Sequence, residues 1–317
     1  MSSLSSSADA SHLLCHESPG EVVSASTFGS VSGLYAPSDD DKSFILHLFD
    51  AELEQLPSRQ VFRRVANCED VAQARLEAVD WMLKVSGHHN FRHETVYLSV
   101  NYLDRFLCSH DLPEGKKWPW QLLSVACLSL AAKMEEIRVP RLLDLQVLGP
   151  KFVFQPKTVE CMELLVMAAL GWRLRLITPF DFVHYFVAEL QCRSTQVGSF
   201  SGLVTGACDL ILVSCRAVDF MDHTPSAIAA AAVLYAACQR GNDCGTVLFH
   251  ERVSKEPVQR CCFLFEKHSA INLFRPRCNK KKIVKFIPSP VGVMDEADKK
   301  RLQPSGSLCQ KFVIDAE

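Results

Sequence analysis

The sequence lacks the short motifs by which many enzymes bind phosphate groups or activate a nucleophile. It contains no glycine-rich phosphate loop, no kinase catalytic loop and no Gly-x-Ser-x-Gly turn. Three histidines lie close together at positions 88, 89 and 93, but no acidic or cysteine ligands stand near them at a spacing typical of metal sites. We therefore predict a non-enzymatic protein without a cofactor or a bound metal.

Paired cysteines are also absent, because none of the 14 cysteines belongs to a Cys-x-x-Cys motif. This absence excludes zinc-ribbon and thioredoxin-like sites. Most cysteines lie in apolar helical patterns, as Cys127, Cys208 and Cys238 do, and the N-terminus MSSLSSSADASH carries no secretory signal. We expect reduced, buried thiols in a protein of the nucleus and cytoplasm. The alternative of a cysteine-dependent enzyme requires an exposed thiol of low pKa beside a histidine.

The chain has little net charge and no apolar run long enough to cross a membrane. Its formal net charge is -2 over 317 residues, so no electrostatic argument favours direct binding to nucleic acid or to an anionic membrane. The longest apolar stretches, residues 122–132 and 227–238, are shorter than the ~20 residues that a membrane-spanning helix needs. We interpret both stretches as buried core helices.

Strand patterns are scarce, whereas helical patterns follow one another along the chain. Apolar residues recur at helical spacing, for example at Val96, Val100 and Leu103. A proline-led apolar stretch at 119–132 is echoed by a similar stretch at 225–238. Because a helix that is apolar on every face must be surrounded by other helices, the echo predicts two helical bundles, each with a central helix.

The two ends of the chain differ from its middle in composition. Residues 1–40 contain 12 serines, and residues 276–317 combine a basic run at 280–282 with prolines and acidic residues. Such segments bury too little apolar surface to offset the entropy of ordering them. We expect disordered tails at residues 1–41 and 276–317. The short, irregular segment 241–252 predicts a reduced fourth helix or a partly open second bundle.

Four segments, taken together and in order, resemble the cyclin box. They are Arg-Leu-Glu-Ala-Val-Asp-Trp-Met at 75–82, Asn-Tyr-Leu-Asp-Arg-Phe-Leu at 101–107, Leu-Ala-Ala-Lys-Met-Glu-Glu at 130–136 and Met-Glu-Leu-Leu at 162–165. The resemblance implies an all-α fold of two consecutive five-helix cyclin-box bundles, the second degenerate, at residues 42–176 and 177–275. It also implies a non-catalytic regulatory subunit that binds and activates a cyclin-dependent serine/threonine protein kinase.

A short motif in the N-terminal tail narrows the resemblance to D-type cyclins of the plant type. Leu13, Cys15 and Glu17 form the pattern Leu-x-Cys-x-Glu, with which D-type cyclins hold retinoblastoma-family proteins. We expect an extended peptide in a groove, with the leucine and cysteine in apolar pockets and the glutamate accepting backbone hydrogen bonds. The resemblance therefore implies a retinoblastoma-related partner and a role in promoting the G1/S transition.

The resemblance also implies a kinase-binding surface on the third and fifth helices of the first box. The matched charges Lys133 and Glu163 would give register and specificity, and Met134 and Met167 would form an apolar platform, with Glu136 as a further contact. From the residues alone, solvated surface charges are the alternative. Glu163 is expected on a helical stripe apart from the core face of its own helix.

Arg75 and Asp104 are charged residues on predicted helices whose other residues are mostly core residues, and we predict a structural role for both. Arg75 and Asp104 are expected to form an ion pair between the first and second helices of the box, because a buried charge requires a partner. In the C-terminal tail, Ser289 precedes a proline and matches the pattern of a proline-directed phosphorylation site.

A peptide-docking patch is a further expectation from the resemblance. Trp81 and Gln121 match the patch that binds Arg-x-Leu peptides of substrates and of kinase inhibitor proteins. The larger apolar residues of the family are replaced here by Ala74, Glu77 and Ala78. A smaller and more acidic patch predicts weaker binding or an altered peptide specificity.

Transcription adaptation without activation of a cell-cycle kinase is the alternative function for the same fold. Some cyclin-like bundles serve as transcription adaptors that bind DNA complexes without activating a cell-cycle kinase. That function requires a basic face or an N-terminal zinc ribbon, and the sequence shows neither.

Overall fold

The computed structural model describes residues 39–55, 68–113, 115–146, 148, 152–193, 199–240 and 249–270. Within these ranges every regular element is helical, which confirms the predicted all-α class. The predicted binding residues Leu13, Cys15 and Glu17 and the predicted phosphorylation site Ser289 lie outside the described residues. No helix in these ranges combines the length and the apolar character that crossing a bilayer requires.

The first bundle follows a leading helix. Its α-helices begin after an extended residue or have a proline in the first turn. In chain order the helices are α1 (Asp39–Gln55), then α2 (Glu69–His89), α3 (His93–Ser109), α4 (Trp118–Glu135) and α5 (Pro156–Ala169). Pro119 and Pro156 occupy first turns, where the missing N–H has no intrahelical partner to lose. The position of the fourth helix of this bundle is taken by a 3-10 helix, Asp144–Gln146.

Helix α4 is the centre of the first bundle. Every residue from 122 to 132 is buried, and α4 packs against α2, α3 and α5. This arrangement confirms the interpretation of the apolar stretch as a core helix. The consequence for function is that the buried run ends at Ala132, and the C-terminal end of α4 reaches the surface from Lys133 onward. At the other end of the helix, Trp118, Trp120 and Gln121 are half-buried.

The second bundle repeats the plan with a different central helix. Its helices are α6 (Phe180–Arg193), α7 (Phe200–Ser214), a 3-10 helix at Val218–Asp222, α8 (Pro225–Cys238) and α9 (Lys255–Ala270). The side chain of Thr224 caps α8 by accepting a hydrogen bond from the Ala227 N–H. Gly206 of α7 faces α8, and a Cβ at this position would make an ordinary van der Waals contact with Ala236 Cβ at 3.5 Å. Residues 241–248, where the fourth helix was in question, lie outside the described residues.

Helix α1 packs on the second bundle, although the sequence analysis counted its residues with the first. Ile45, Leu48 and Phe49 are buried in the same core cluster as the second-bundle side chains, and the ring centroids of Phe49 and Phe182 are 5.2 Å apart. The buried Glu52 carboxylate accepts hydrogen bonds from the N–H and hydroxyl of a serine at the start of α8 at 2.9 and 2.7 Å. Helix α1 therefore precedes the first bundle in the sequence but belongs to the core of the second bundle.

Candidate functional site

Lys133 and Glu163 lie together, at the end of α4 and in the middle of α5. Lys133 Nζ donates to Glu163 Oε1 at 2.8 Å and to Oε2 at 2.6 Å. The Lys133 side chain is 45% exposed, whereas that of Glu163 is only 6% exposed. The sequence analysis placed Glu163 apart from the core face, but its carboxylate is buried beneath the lysine, because α4 packs against α5 at this point. A buried carboxylate requires such a partner.

Exposed apolar side chains are concentrated in the part of the chain that carries this ion pair. Of the eleven large hydrophobic residues that are exposed in the described ranges, seven belong to residues 134–172. Ile137 is fully exposed, and Met134 and Leu164 are 44% and 55% exposed; the remaining four are Val139, Leu143, Val153 and Trp172. Met167, the other predicted platform residue, is half-buried. Clustered exposed apolar residues around a desolvated charge are typical of a protein-binding surface.

Trp172 is held outward by the backbone that ends α5. Gly171 and Trp172 have consecutive left-handed conformations, with φ of 58° and 61°, and the tryptophan is 67% exposed. Arg105 of α3 fixes this turn, since its guanidinium donates to the carbonyl oxygens of Arg173 and Leu170 at 2.9 and 3.2 Å. A large aromatic side chain at a left-handed position is uncommon and is retained only where its surroundings enforce it.

Sequence reasoning missed Ile137, Leu164 and Trp172 as candidate contacts. Ile137 had a weak signal, because it is a lone apolar residue inside the charged run at 135–138. Trp172 follows a glycine at the end of a helix, which is the position where the chain turns outward. Leu164 had no such signal, since its neighbours Met162 and Val166 are core residues of the same helix.

Glu136, a predicted kinase contact, makes hydrogen bonds within the protein. Its Oε1 accepts from the backbone N–H of Arg92 at 2.8 Å and from the hydroxyl of Thr95 at 2.6 Å. Both donors belong to the start of α3. The carboxylate therefore lies against a helix N-terminus, where the helix dipole favours a negative charge.

Arg75 and Asp104 are brought together by α2 and α3. Arg75 Nε and Nη2 donate to the two carboxylate oxygens of Asp104 at 2.7 and 2.8 Å, and Arg75 is 1% exposed. Burial alone would lower the pKa of Arg75, but the adjacent Asp104 carboxylate more than offsets this effect and raises it. Arg75 also donates to the Arg216 carbonyl at 3.4 Å, and Arg216 pairs with Asp80 at 2.6 Å. The ion pair thus ties the first bundle to the second.

Of the two residues predicted for peptide docking, Gln121 is committed to local hydrogen bonds, whereas the Trp81 side chain makes none to the described part of the chain. Gln121 binds the backbone of Phe152 with both ends of its amide: Nε2 donates to the carbonyl at 2.7 Å and Oε1 accepts from the N–H at 3.3 Å. Trp81 is half-buried, and its Nε1 has no hydrogen-bond partner within the described residues. Glu77 lies 3.8 Å from Lys117. A docked peptide would have to displace Phe152 to use the glutamine.

The buried thiols are unsuited to nucleophilic chemistry. Burial raises the pKa of Cys127 well above its ordinary value, that of Cys215 to about 12 and that of Cys262 to about 11. Among the residues that the structure describes, no group of three or more histidine, cysteine or acidic side chains is placed to hold a metal ion. These observations give no support to the alternative of a cysteine-dependent enzyme.

Two helical bundles in tandem, with exposed apolar side chains in the segment that carries a charged pair, are typical of helical protein-binding subunits. Residues 43–175 match the family model of the cyclin N-terminal domain, and residues 177–290 match that of the cyclin C-terminal domain. The chain belongs to the cyclin family. It is thus a non-catalytic regulatory subunit of the cyclin-dependent kinase class of enzymes rather than an enzyme itself.

Curated proteins similar to this chain include D-type cyclins of plants. The chain is 40% identical over 281 residues to Cyclin-D1-1 of Arabidopsis thaliana, which covers 86% of this chain and 80% of that protein. It is 41% identical over 240 residues to Cyclin-D2-1 of Oryza sativa subsp. japonica, which covers 72% of each. These matches confirm the resemblance to plant D-type cyclins.

Solved structures agree on the fold at low sequence identity. A viral cyclin from herpesvirus saimiri superposes with a TM-score of 0.52 at 17% identity, over 63% of this chain and 88% of that chain. A chain of the yeast RNA Pol II CTD kinase CTDK-1 complex superposes with a TM-score of 0.52 at 14% identity, over 69% of this chain and 74% of that chain.

Proposed function

We propose that this cyclin binds its kinase through the exposed face at residues 133–172, which we call the α4–α5 face. The observation that carries the proposal is the Lys133–Glu163 ion pair, whose two residues directly precede the exposed Met134 and Leu164. Lys133 retains hydrogen-bonding capacity toward a partner, because an ammonium group has three donors and its side chain is 45% exposed. The face therefore combines an apolar contact area with one oriented cation.

The energetics of such a face depend on a few anchors. The fully exposed Ile137 and the large ring of Trp172 offer the greatest apolar area for burial, and a handful of residues of this kind usually dominates the affinity of an interface. The Lys133–Glu163 pair adds specificity, because a partner that fails to satisfy it leaves a desolvated charge at the centre of the contact.

The activating effect follows from a rigid binding surface. A kinase requires its mobile helix in the position that pairs the helix glutamate with the nucleotide-binding lysine. Since α4 is buried from 122 to 132 and α5 packs against it, the α4–α5 face is a fixed template. A template that binds only the active position of that helix shifts the kinase population toward it, in proportion to the difference in affinity.

The finer part of the proposal concerns the N-terminal tail. Leu13, Cys15 and Glu17 carry the retinoblastoma-binding pattern, and similarity to plant D-type cyclins supports its use here. In this proposal the tail brings a retinoblastoma-related protein to the bound kinase and promotes the G1/S transition. The protein then acts in the nucleus and cytoplasm, with kinase inhibitor proteins as further partners.

A charge exchange tests the α4–α5 face. The double variant Lys133→Glu/Glu163→Lys keeps an ion pair between the two helices but reverses the charge offered to a partner. Affinity for a D-type cyclin's kinase should fall by at least about 30-fold, equivalent to 2 kcal/mol or more for a buried charge pair. Helical content, measured by circular dichroism, should be unchanged.

The matched control exchanges a pair outside this face. Lys117→Glu/Glu77→Lys alters an exposed pair 3.8 Å apart and should leave kinase affinity within about twofold, since exposed pairs contribute little. Wild-type affinity in the Lys133/Glu163 variant would overturn the assignment of the face.

A further inference from the structure

Glu136 joins the end of α4 to the start of α3. Arg92 is the N-cap of α3, and no side chain of its own caps the helix. Glu136 Oε1 accepts from the Arg92 N–H and from the hydroxyl of Thr95, the third residue of α3, across 44 and 41 positions of sequence. A capping box usually takes this carboxylate from within the helix itself. Here the carboxylate comes from another helix of the bundle.

Glu136 is also the last residue with a backbone hydrogen bond before the exposed segment of the α4–α5 face. The Glu136 N–H bonds the Ala132 carbonyl at 2.9 Å, and the next backbone hydrogen bond along the chain is that from Asp144 to Arg141. Residues 137–140 therefore make no backbone hydrogen bond to the described part of the chain. Ile137, with a fully exposed side chain, follows Glu136 directly.

We propose that Glu136 is a positioning residue: it holds the segment at 137–140, and with it Ile137, by capping α3, and it does not itself touch the kinase. The inference rests on the proposed function of the α4–α5 face, and it replaces the direct contact expected from the sequence. Without the cap the segment samples more conformations, and binding has to order it at the cost of affinity. Thr95 takes part in this arrangement although it is fully buried and out of reach of any partner.

Three substitutions separate positioning from contact. Glu136→Gln keeps an amide oxygen that accepts both hydrogen bonds but removes the charge. Glu136→Ala removes the acceptor. Thr95→Val removes the hydroxyl donor while it keeps the size and branching of the side chain. Glu135→Ala is the matched control, because the neighbouring carboxylate makes only a 3.7 Å ion pair with Arg92.

The kinase affinity of these variants decides the role of Glu136. We expect Glu136→Ala to weaken binding about tenfold, and Glu136→Gln and Glu135→Ala to stay within about twofold of the wild type. Thr95→Val should weaken binding too. The Thr95→Val/Glu136→Ala double variant should bind no more weakly than Glu136→Ala alone, because the hydrogen bond from Thr95 is already lost in Glu136→Ala. A Gln variant as weak as the Ala variant, or additive effects of the two substitutions, overturns the proposal.

Hydrogen exchange of the free protein tests the inference without a kinase. The amide of Arg92, which donates to the Glu136 carboxylate, and the amides of the first turn of α3 should exchange faster in Glu136→Ala than in the wild type, and Glu136→Gln should match the wild type. If the wild type binds no kinase, the proposed function fails, and the exchange result still decides this inference: unchanged exchange in Glu136→Ala refutes it. Ser226→Ala, which removes a hydrogen bond to Glu52 in the second bundle, controls for general destabilisation and should retain kinase affinity.

Discussion

The buried ion pair between α2 and α3 gives a prediction about stability whose size follows from its geometry. Substituting Asp104→Ala leaves the Arg75 guanidinium, which is 1% exposed, without its two hydrogen bonds of 2.7 and 2.8 Å. Removing one partner of a buried pair costs about 3–5 kcal/mol, because the remaining charge is uncompensated. At about 2–4 °C per kcal/mol for a chain of this size, the Tm should fall by about 6–20 °C. Differential scanning calorimetry measures this change.

A double substitution tests the reasoning behind that magnitude. In Arg75→Met/Asp104→Val both charges are replaced by apolar side chains whose combined volume is close to that of the original pair, and stability should return to within about 1 kcal/mol of the wild type or exceed it. A Tm shift below about 2 °C for Asp104→Ala would mean that the two side chains do not pair as described. A double variant as unstable as the single one would show that the loss comes from packing and not from the unpaired charge.

Three further predictions concern single positions. Gly171→Ala should destabilise the protein by about 1 kcal/mol, because Gly171 has a left-handed φ of 58°. Gly87→Ala lies inside α2 with open space around it and should stabilise the protein by about 0.5–1 kcal/mol. Urea unfolding of each variant and the wild type measures both changes in unfolding free energy. Burial raises the pKa of Glu52 above 4.5, so the stability contributed by its protonated form is lost as pH rises through that raised pKa. Glu52→Gln, which does not titrate, should therefore show a flatter dependence of the unfolding free energy on pH above about pH 4.5. Equal slopes for the variant and the wild type would contradict this. Cys127 and Cys215 should react with thiol reagents at about pH 7.5 only after unfolding, whereas exposed thiols such as Cys161 react in the native protein. Rapid labelling of Cys127 or Cys215 themselves in the native protein, located by peptide mass spectrometry, would show that they are not buried.

The helices and their order follow from local patterns that need no knowledge of the neighbours. Pro119 and Pro225 mark the starts of the two central helices, and the apolar residues behind each proline are buried on all sides of the helix. The spacing of apolar residues describes one helix without its neighbours. That is sufficient for these two helices, because apolar residues on all sides indicate a position at the centre of a bundle. The sequence therefore predicts both bundle centres correctly.

The contacts between helices were less predictable from the sequence. Helical spacing placed Glu163 on a stripe apart from the core of α5, but whether that stripe is exposed depends on the position of α4, which covers it with Lys133. The hydrogen bonds of Glu136 to the start of α3 span 41 and 44 positions, and no local pattern connects those residues. The packing of α1 on the second bundle has the same character, since an apolar face does not identify its partner.

The most direct test of the α4–α5 face is hydroxyl-radical footprinting of the cyclin alone and in complex with its kinase. Trp172 and Phe263 form a matched pair of exposed aromatic side chains, at 67% and 65%, on the first and second bundles. The account predicts that kinase binding lowers the oxidation rates of Trp172, Met134 and Ile137 and leaves that of Phe263 unchanged. Protection of Phe263, with undiminished oxidation of Trp172 and Met134, would contradict it.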